Sequence, residues 1–165
     1  LVEAAVLAWR ETGLTVACHT ETDVDARQVA DVALRAGLDP ASLTIVHADN
    51  SDDVGFHSSL AELGVWVEFD SVGYQPVEAH GSLIIPFLDA GHIDRLLVSH
   101  DAGWYWVGEV RGGIPERIQP YTVVHDQLLP LLRTRGVAEA EITRITEHNP
   151  ASAFSVRAPL EFDPR

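Results

Sequence analysis

The chain has 165 residues, of which 46% are hydrophobic, and its 25 acidic residues outnumber its 11 basic residues to give a net charge of -14. This size and apolar content predict one globular domain with a sizeable core. The negative charge would repel nucleic acid and anionic membrane surfaces, so neither is an expected partner.

A single cysteine, Cys18, excludes an internal disulfide bond and is typical of a reducing compartment, so we expect a cytoplasmic location. No run reaches the roughly 18 to 20 apolar residues of a membrane span. The opening segment LVEAAVLAWRETG carries Glu3 and Arg10, which favours an amphipathic helix over a signal peptide. Because the chain starts with Leu, we expect a segment upstream of it to be missing or removed by processing.

Four short runs rich in β-branched residues each end in polar side chains, and they are found at 14–20, 43–49, 65–71 and 96–102. Their spacing of about 25 to 30 residues is that of a strand, a helix and two loops in a parallel α/β unit. The pattern predicts either half of a TIM-type (β/α)8 barrel or a small open sheet. Four strands standing alone would leave both outer edges unpaired.

Helix signals follow each run. Thr22 or Asp23 is expected to cap the first helix and Ser51 the second, and a third helix is expected from Ser82 with a kink at Pro86. After the fourth run, a helix with Tyr121, Val124, Leu128 and Leu131 on one face is predicted, and a last helix from about Ala138 to His148 is expected to end at Asn149-Pro150.

Ligand sites in parallel α/β folds lie beyond the carboxyl ends of the strands. The residues at those ends are His19, His47, Asp70 and Asp101. A lone histidine there is more often structural, but one such residue in each of four units favours a metal site. Imidazole with carboxylate suits zinc, manganese, iron or cobalt better than calcium.

The ordered runs ACHT, VHADNSDD, GVWVEFDSVG, LLVSHDAGW, LLPLLRTRGV and EHNPASAF resemble the second half of the phosphotriesterase-like metal hydrolases of the amidohydrolase superfamily. The resemblance extends from about Glu3 to Phe154. It implies strands five to eight of a TIM-type barrel, with residues 1–165 as a single partial domain. It also implies hydrolysis by a metal-activated hydroxide in the complete barrel, and a homodimer, which is common in that family.

The resemblance further implies two divalent metal ions, with zinc expected and manganese, cobalt or iron as alternatives. His19 and His47 would bind the more exposed ion, and Asp101 would bind the buried ion and accept a proton during hydrolysis. The family's His-x-His pair and bridging lysine have no counterpart, since the chain contains no lysine. Neither coordination shell is complete, so we expect this chain to be inactive by itself.

Substrate class follows from two further positions. Phosphotriesterases that resemble this chain carry a histidine and an aspartate that together relay protons. This chain has Ser71 at the histidine position and Asn50 at the aspartate position. Neither residue can relay protons at neutral pH. An ester or lactone, including sugar-derived ones, is therefore favoured over a phosphotriester. The expected pocket residues follow the third and fourth predicted strands, and they are Asp70, Ser71, Tyr74, Trp104, Tyr105 and Trp106.

Two other classes of function remain open at this point. One is a non-catalytic half-barrel that needs a partner carrying strands one to four, and the other is an open-sheet domain that binds a small molecule without metal. The histidines in or beside helices are expected to be surface or capping residues, and these are His57, His80, His92, His125 and His148. His100 is expected to be structural.

Overall fold

The computed structural model describes residues 1–102, 106–113 and 120–156. Its centre is one sheet of four parallel strands in the order β1-β2-β3-β4. The strands are β1 Val16–His19, β2 Leu43–Val46, β3 Trp66–Phe69 and β4 Leu96–Val98. This confirms the predicted α/β architecture of strands that alternate with helices.

Helices precede and follow the strands. They are α1 Val2–Thr12, α2 Asp23–Arg35, α3 Val54–Glu62, α4 Val77–Asp89, α5 Leu129–Thr134, α6 Glu139–Thr143 and α7 Asn149–Phe154. Wider π-helical turns, Val124–Leu128 and Arg144–His148, lead into α5 and α7. None of the helices in the described ranges combines the length and the apolar character that a membrane crossing requires.

The two faces of the sheet have different environments. Side chains on one face pack in the main core with the helices, and they include Ile45, Val67, Phe69 and Leu96. Successive strand residues point to opposite faces, so the alternate positions, including His19, Glu68 and Leu97, lie on the other face. Trp66 and Leu97 on that face pack with Ala153 of α7 in a second, smaller cluster.

The helix ends differ in part from expectation. Thr22 caps α2 by accepting the backbone N–H of Asp25, as predicted. Asp53, and not Ser51, caps α3, because its carboxylate accepts the N–H groups of Gly55 and Phe56. Ser51 instead accepts the N–H of Asp53. Helix α4 begins at Val77 rather than Ser82, and it continues through Pro86.

The last two helices also differ from the prediction. Tyr121 is 62% exposed and precedes the helical turn that begins at Val124, so it does not share the buried face of that helix. The last helix does not end at Asn149-Pro150 but continues as α7 to Phe154. A π-helical turn precedes α7, and Pro150 stands in the first turn, where a missing N–H is tolerated.

Asn149 ties α7 to the sheet. Its side chain is buried, and its amide donates to the carbonyl oxygens of Ile93, at 2.7 Å, and Leu96, at 2.8 Å. Replacing Asn149 with alanine leaves a buried and a partly buried carbonyl group without these donors. We therefore expect the free energy of unfolding to fall by about 2 to 4 kcal/mol. Urea denaturation measures this. Ser152→Ala, at an exposed position of the same helix, is the control, and a loss equal to the control's would contradict the prediction.

Candidate active site

The predicted site residues lie along the carboxyl edge of the sheet, which is called the rim below. His19 ends β1, His47 follows β2, Asp70 follows β3, and Asp101 lies beyond β4. The imidazole rings of His19 and His47 are in contact, with centroids 4.4 Å apart and planes at 84°. The geometry therefore brings together the two histidines that the family resemblance assigns to one ion.

Asp70 fixes the orientation of the His47 ring. One carboxylate oxygen, Oδ2, accepts the backbone N–H of His47 at 3.0 Å, and the other, Oδ1, lies 2.6 Å from Nδ1 of the ring. A carboxylate can only accept, so Nδ1 carries the proton in this bond. Nε2 is then the nitrogen with a lone pair for a metal ion. Carboxylates commonly hold metal-binding histidines in this way.

His19 is more exposed than His47. Its Nε2 lies 2.7 Å from the carboxylate of Glu21, and both side chains are largely in solvent, at 62% and 72% exposure. This contact engages Nε2 and leaves Nδ1 as the ring nitrogen available to a ligand. An exposed pair of this kind is weak, so His19 can change partners at little cost.

Backbone conformation at the rim is unusual. His47 has φ of 61° and Asp101 has φ of 41°. Both values lie in the left-handed region, which residues other than glycine rarely adopt. Such strain is often found at functional sites, where surrounding contacts enforce it. The Asp101 carbonyl oxygen also accepts the hydroxyl of Tyr74 at 3.1 Å, which joins the segments after β3 and β4.

Carboxylates dominate the electrostatics of the rim. Partial burial lowers the pKa of His47, but its hydrogen bond to Asp70 and the charges of Asp70, Asp101 and Asp49 outweigh burial and raise it. The pKa of Asp70 is raised because burial outweighs the bond from His47. The pKa of Glu68 rises to about 7, mainly through burial and then through the charge of Asp70. Bound cations would relieve this excess of negative charge.

The described residues provide part of a metal shell. Within the described ranges, no three His, Cys, Asp or Glu side chains converge closely enough to hold an ion. The imidazole rings of His19 and His47 are nevertheless in contact, and the charge of Asp101 acts on His47. Nitrogen donors with nearby carboxylate suit zinc and similar metals. The residues therefore fit an incomplete site for such an ion.

Two histidines that were expected to be surface or capping residues are buried in the core instead. His57 on α3 is 0% exposed, and its Nε2 lies 2.9 Å from the carbonyl oxygen of Ala48. His80 on α4 is 2% exposed, and its Nε2 lies 3.0 Å from Oδ2 of Asp49. Both bonds reach the segment that directly follows His47. His80 lies on the buried stripe of α4 with Ile84 and Phe87, and that 3- and 4-residue spacing is the sequence signal for its burial.

Sequence reasoning also missed Asp49. Its Oδ2 accepts the backbone N–H of Ser71 at 2.9 Å and the Ser71 hydroxyl at 2.5 Å, in addition to the contact with His80. Burial raises the pKa of Asp49, but the hydrogen bonds from His80 and Ser71 outweigh it and lower that pKa to about 2. Asp49 is therefore a carboxylate at neutral pH, buried but hydrogen-bonded. The sequence signal that could have identified Asp49 is its position two residues after His47.

The other predicted pocket residues are less closely linked. Tyr74 is 43% exposed and Trp106 is 39% exposed, and the backbone N–H of Trp106 donates to the Gly112 carbonyl oxygen. Trp104 and Tyr105 lie outside the described residues. Nε2 of His100 lies 2.7 Å from the carbonyl oxygen of Tyr121, a contact suited to the structural role predicted for it.

Comparison with known proteins identifies a family and several relatives that resemble this chain. The model of the phosphotriesterase family matches residues 1–154. An aryldialkylphosphatase of Saccharolobus solfataricus is 23% identical over 94% of this chain and 52% of its own length. A phospho-furanose lactonase of Mycoplasmopsis synoviae is 28% identical over 93% of this chain and 45% of its own length. The solved organophosphorus hydrolase from Deinococcus radiodurans superposes with a TM-score of 0.83 at 32% identity, over 93% of this chain and 50% of that one. The chain thus spans about half the length of these relatives and matches half of their barrel.

Proposed function

Because the chain belongs to the phosphotriesterase family, we propose that it is the C-terminal half of a metal-dependent hydrolase, with residues 1–165 as one partial domain that supplies strands five to eight. The observation that carries this is the contact between the rings of His19 and His47, with Asp70 orienting His47. Strands one to four of the complete barrel would supply the remaining ligands.

The proposed roles of these residues come from the family resemblance. His19 and His47 would hold the more exposed of two divalent ions, and Asp101 would bind the other. Such ions lower the pKa of coordinated water towards neutrality and polarise the bond to be cleaved. Asp101 would accept the proton released as water attacks. Asp70 would keep the Nδ1 proton of His47 in place, and Tyr74 would steady the backbone at Asp101.

A carboxylic ester or a lactone is the proposed substrate class, ahead of a phosphotriester. Relatives named for lactone and for phosphotriester chemistry both match this chain, so the family leaves the choice open. Ser71 supports the choice, because its hydroxyl is bonded to buried Asp49 and neither Ser71 nor Asn50 can act as a relay histidine or carboxylate. Tyr74 and the aromatic residues Trp104 to Trp106 would line the pocket.

A second candidate is a non-catalytic half-barrel that acts only with a partner carrying strands one to four. It is favoured by the sheet itself, in which β1 and β4 each pair on one side only within the described residues. Open edges of this kind favour pairing with further strands.

Metal analysis and a substrate panel test the proposal. We expect the complete protein to retain zinc, manganese, cobalt or iron after purification, and to hydrolyse a lactone or carboxylic ester faster than a phosphotriester. Elemental analysis and initial rates on one substrate of each class measure this, and this chain without strands one to four is expected to show little turnover. Lack of both metal and turnover in the complete protein would favour the non-catalytic candidate.

A further inference from the structure

Four hydrogen bonds cross between the segments after β2 and β3. Asp70 accepts the backbone and ring N–H groups of His47, while Asp49 accepts the backbone N–H and the hydroxyl of Ser71. Each segment therefore contributes one carboxylate that binds the other segment. This set of residues, His47, Asp49, Asp70 and Ser71, is called the rim network below.

His80 anchors the rim network from outside the two segments. Its Nε2 is 3.0 Å from the same Asp49 oxygen that binds Ser71, and 3.3 Å from the Ser71 hydroxyl. The side chains of His80 and Asp49 are 2% and 1% exposed, so water does not compete for this contact. Because Asp49 is a carboxylate, Nε2 of His80 donates to it.

The contacts of the rim network connect His80 to His47 in a series. His80 holds Asp49, Asp49 holds Ser71, and Ser71 is the covalent neighbour of Asp70, whose two oxygens hold His47. If His80 is removed, a buried carboxylate loses a donor that other residues cannot readily replace, and such losses disturb the partners that remain. The disturbance would reach Asp70 through Ser71, and Asp70 is in direct contact with the ring of His47.

We propose that His80 is a positioning residue for the metal site: through Asp49 and Ser71 it keeps His47 in the tautomer protonated on Nδ1, with Nε2 facing the ion. This rests on the proposed function for its biological meaning. His80 lies on α4 and contacts Asp49 and Ser71, not the predicted ligands. The tautomer of His47 can be measured without metal or substrate.

The test is long-range ¹H–¹⁵N NMR of the imidazole groups in the metal-free chain at pH 8. In the wild type, His47 is expected to be the Nδ1–H tautomer. His80→Leu should convert it to a mixture of tautomers, and His80→Gln, which keeps a donor in place, should restore the wild-type signal. Phe87→Leu is the matched control, because Phe87 is buried on the same helix and belongs to the core rather than the rim network.

Ser71→Ala covers the case in which His80→Leu fails to fold, since it removes one bond to Asp49 without altering the core, and it should also increase the second tautomer. A folded His80→Leu or Ser71→Ala variant with the wild-type His47 tautomer would overturn the inference. A second measurement separates the inference from the proposed function. Zinc affinity of the complete protein should fall about 10-fold in His80→Leu, whereas a wild type that binds no zinc would contradict the proposed function alone.

Discussion

Replacing Asp101 with asparagine in the complete protein is expected to lower kcat by about 10²- to 10⁴-fold, the usual range for loss of a general acid or base, with KM nearly unchanged. Asparagine has the same shape but cannot accept the proton that hydrolysis releases. It also tolerates the left-handed backbone conformation of residue 101, where φ is 41°. The substitution therefore removes the chemistry of the carboxylate without straining the rim.

Steady-state rates on the preferred ester or lactone measure the effect. Asp89→Asn, at an exposed position near the end of α4, removes the same charge away from the rim and should leave kcat unchanged. Metal content is measured on both variants, because loss of an ion would also lower the rate. If Asp101→Asn keeps its metal and turns over at the wild-type rate, Asp101 has no part in the reaction.

The sheet and its rim could be predicted from sequence because both depend on local pattern. Each strand is a short β-branched run, and parallel strands place their carboxyl ends at one edge. The chain order of these runs is therefore enough to place His19, His47, Asp70 and Asp101 at one rim. Family resemblance added roles for His19, His47 and Asp101, which the chain's own geometry leaves as proposals.

Contacts between distant segments could not be predicted in this way. His80 and Asp49 are 31 residues apart, and they meet only because the fold places α4 beside the segment that follows β2. A histidine in a helix is usually exposed, and only its spacing from Ile84 and Phe87 on α4 indicates that His80 is buried. Similarly, Pro150 was expected to end the last helix, but a π-helical turn before it places the proline where its missing N–H is tolerated.

Glu68 lies on the face of the sheet opposite the main core, and its side chain is partly buried. Its carboxylate accepts the Ser99 hydroxyl at 3.1 Å, and within the described ranges no arginine or histidine forms an ion pair with it. Burial, followed by the charge of Asp70, raises its pKa from 4.5 to about 7, while His47 and Ser99 oppose this rise and Asp49 adds to it. Below about pH 7 the folded chain thus favours the protonated carboxyl of Glu68.

This raised pKa gives a definite pH dependence. Between pH 4.5 and 7 the folded state keeps a proton on Glu68 that the unfolded state has released, so the free energy of unfolding falls as the pH rises through this window. Because a tenfold difference in proton affinity between the two states corresponds to about 1.4 kcal/mol, the full loss above pH 7 is about 3 kcal/mol. Glu68→Gln cannot ionise and should escape this loss, with stability near that of the wild type at pH 5 and about 3 kcal/mol higher at pH 8.

Urea denaturation at pH 5, 6, 7 and 8, with a chelator present, measures the free energy of unfolding of the wild type and of Glu68→Gln. Other rim groups titrate in both proteins, so their effect largely cancels in the difference. Glu62→Gln is the control, because Glu62 is an exposed acid on α3 and its loss should leave the pH profile of the wild type intact. Adding zinc should reduce the advantage of Glu68→Gln, since a cation at the rim stabilises a nearby carboxylate. If the difference in the free energy of unfolding between wild type and Glu68→Gln is constant from pH 5 to 8, Glu68 ionises in the folded chain as it does in the unfolded chain.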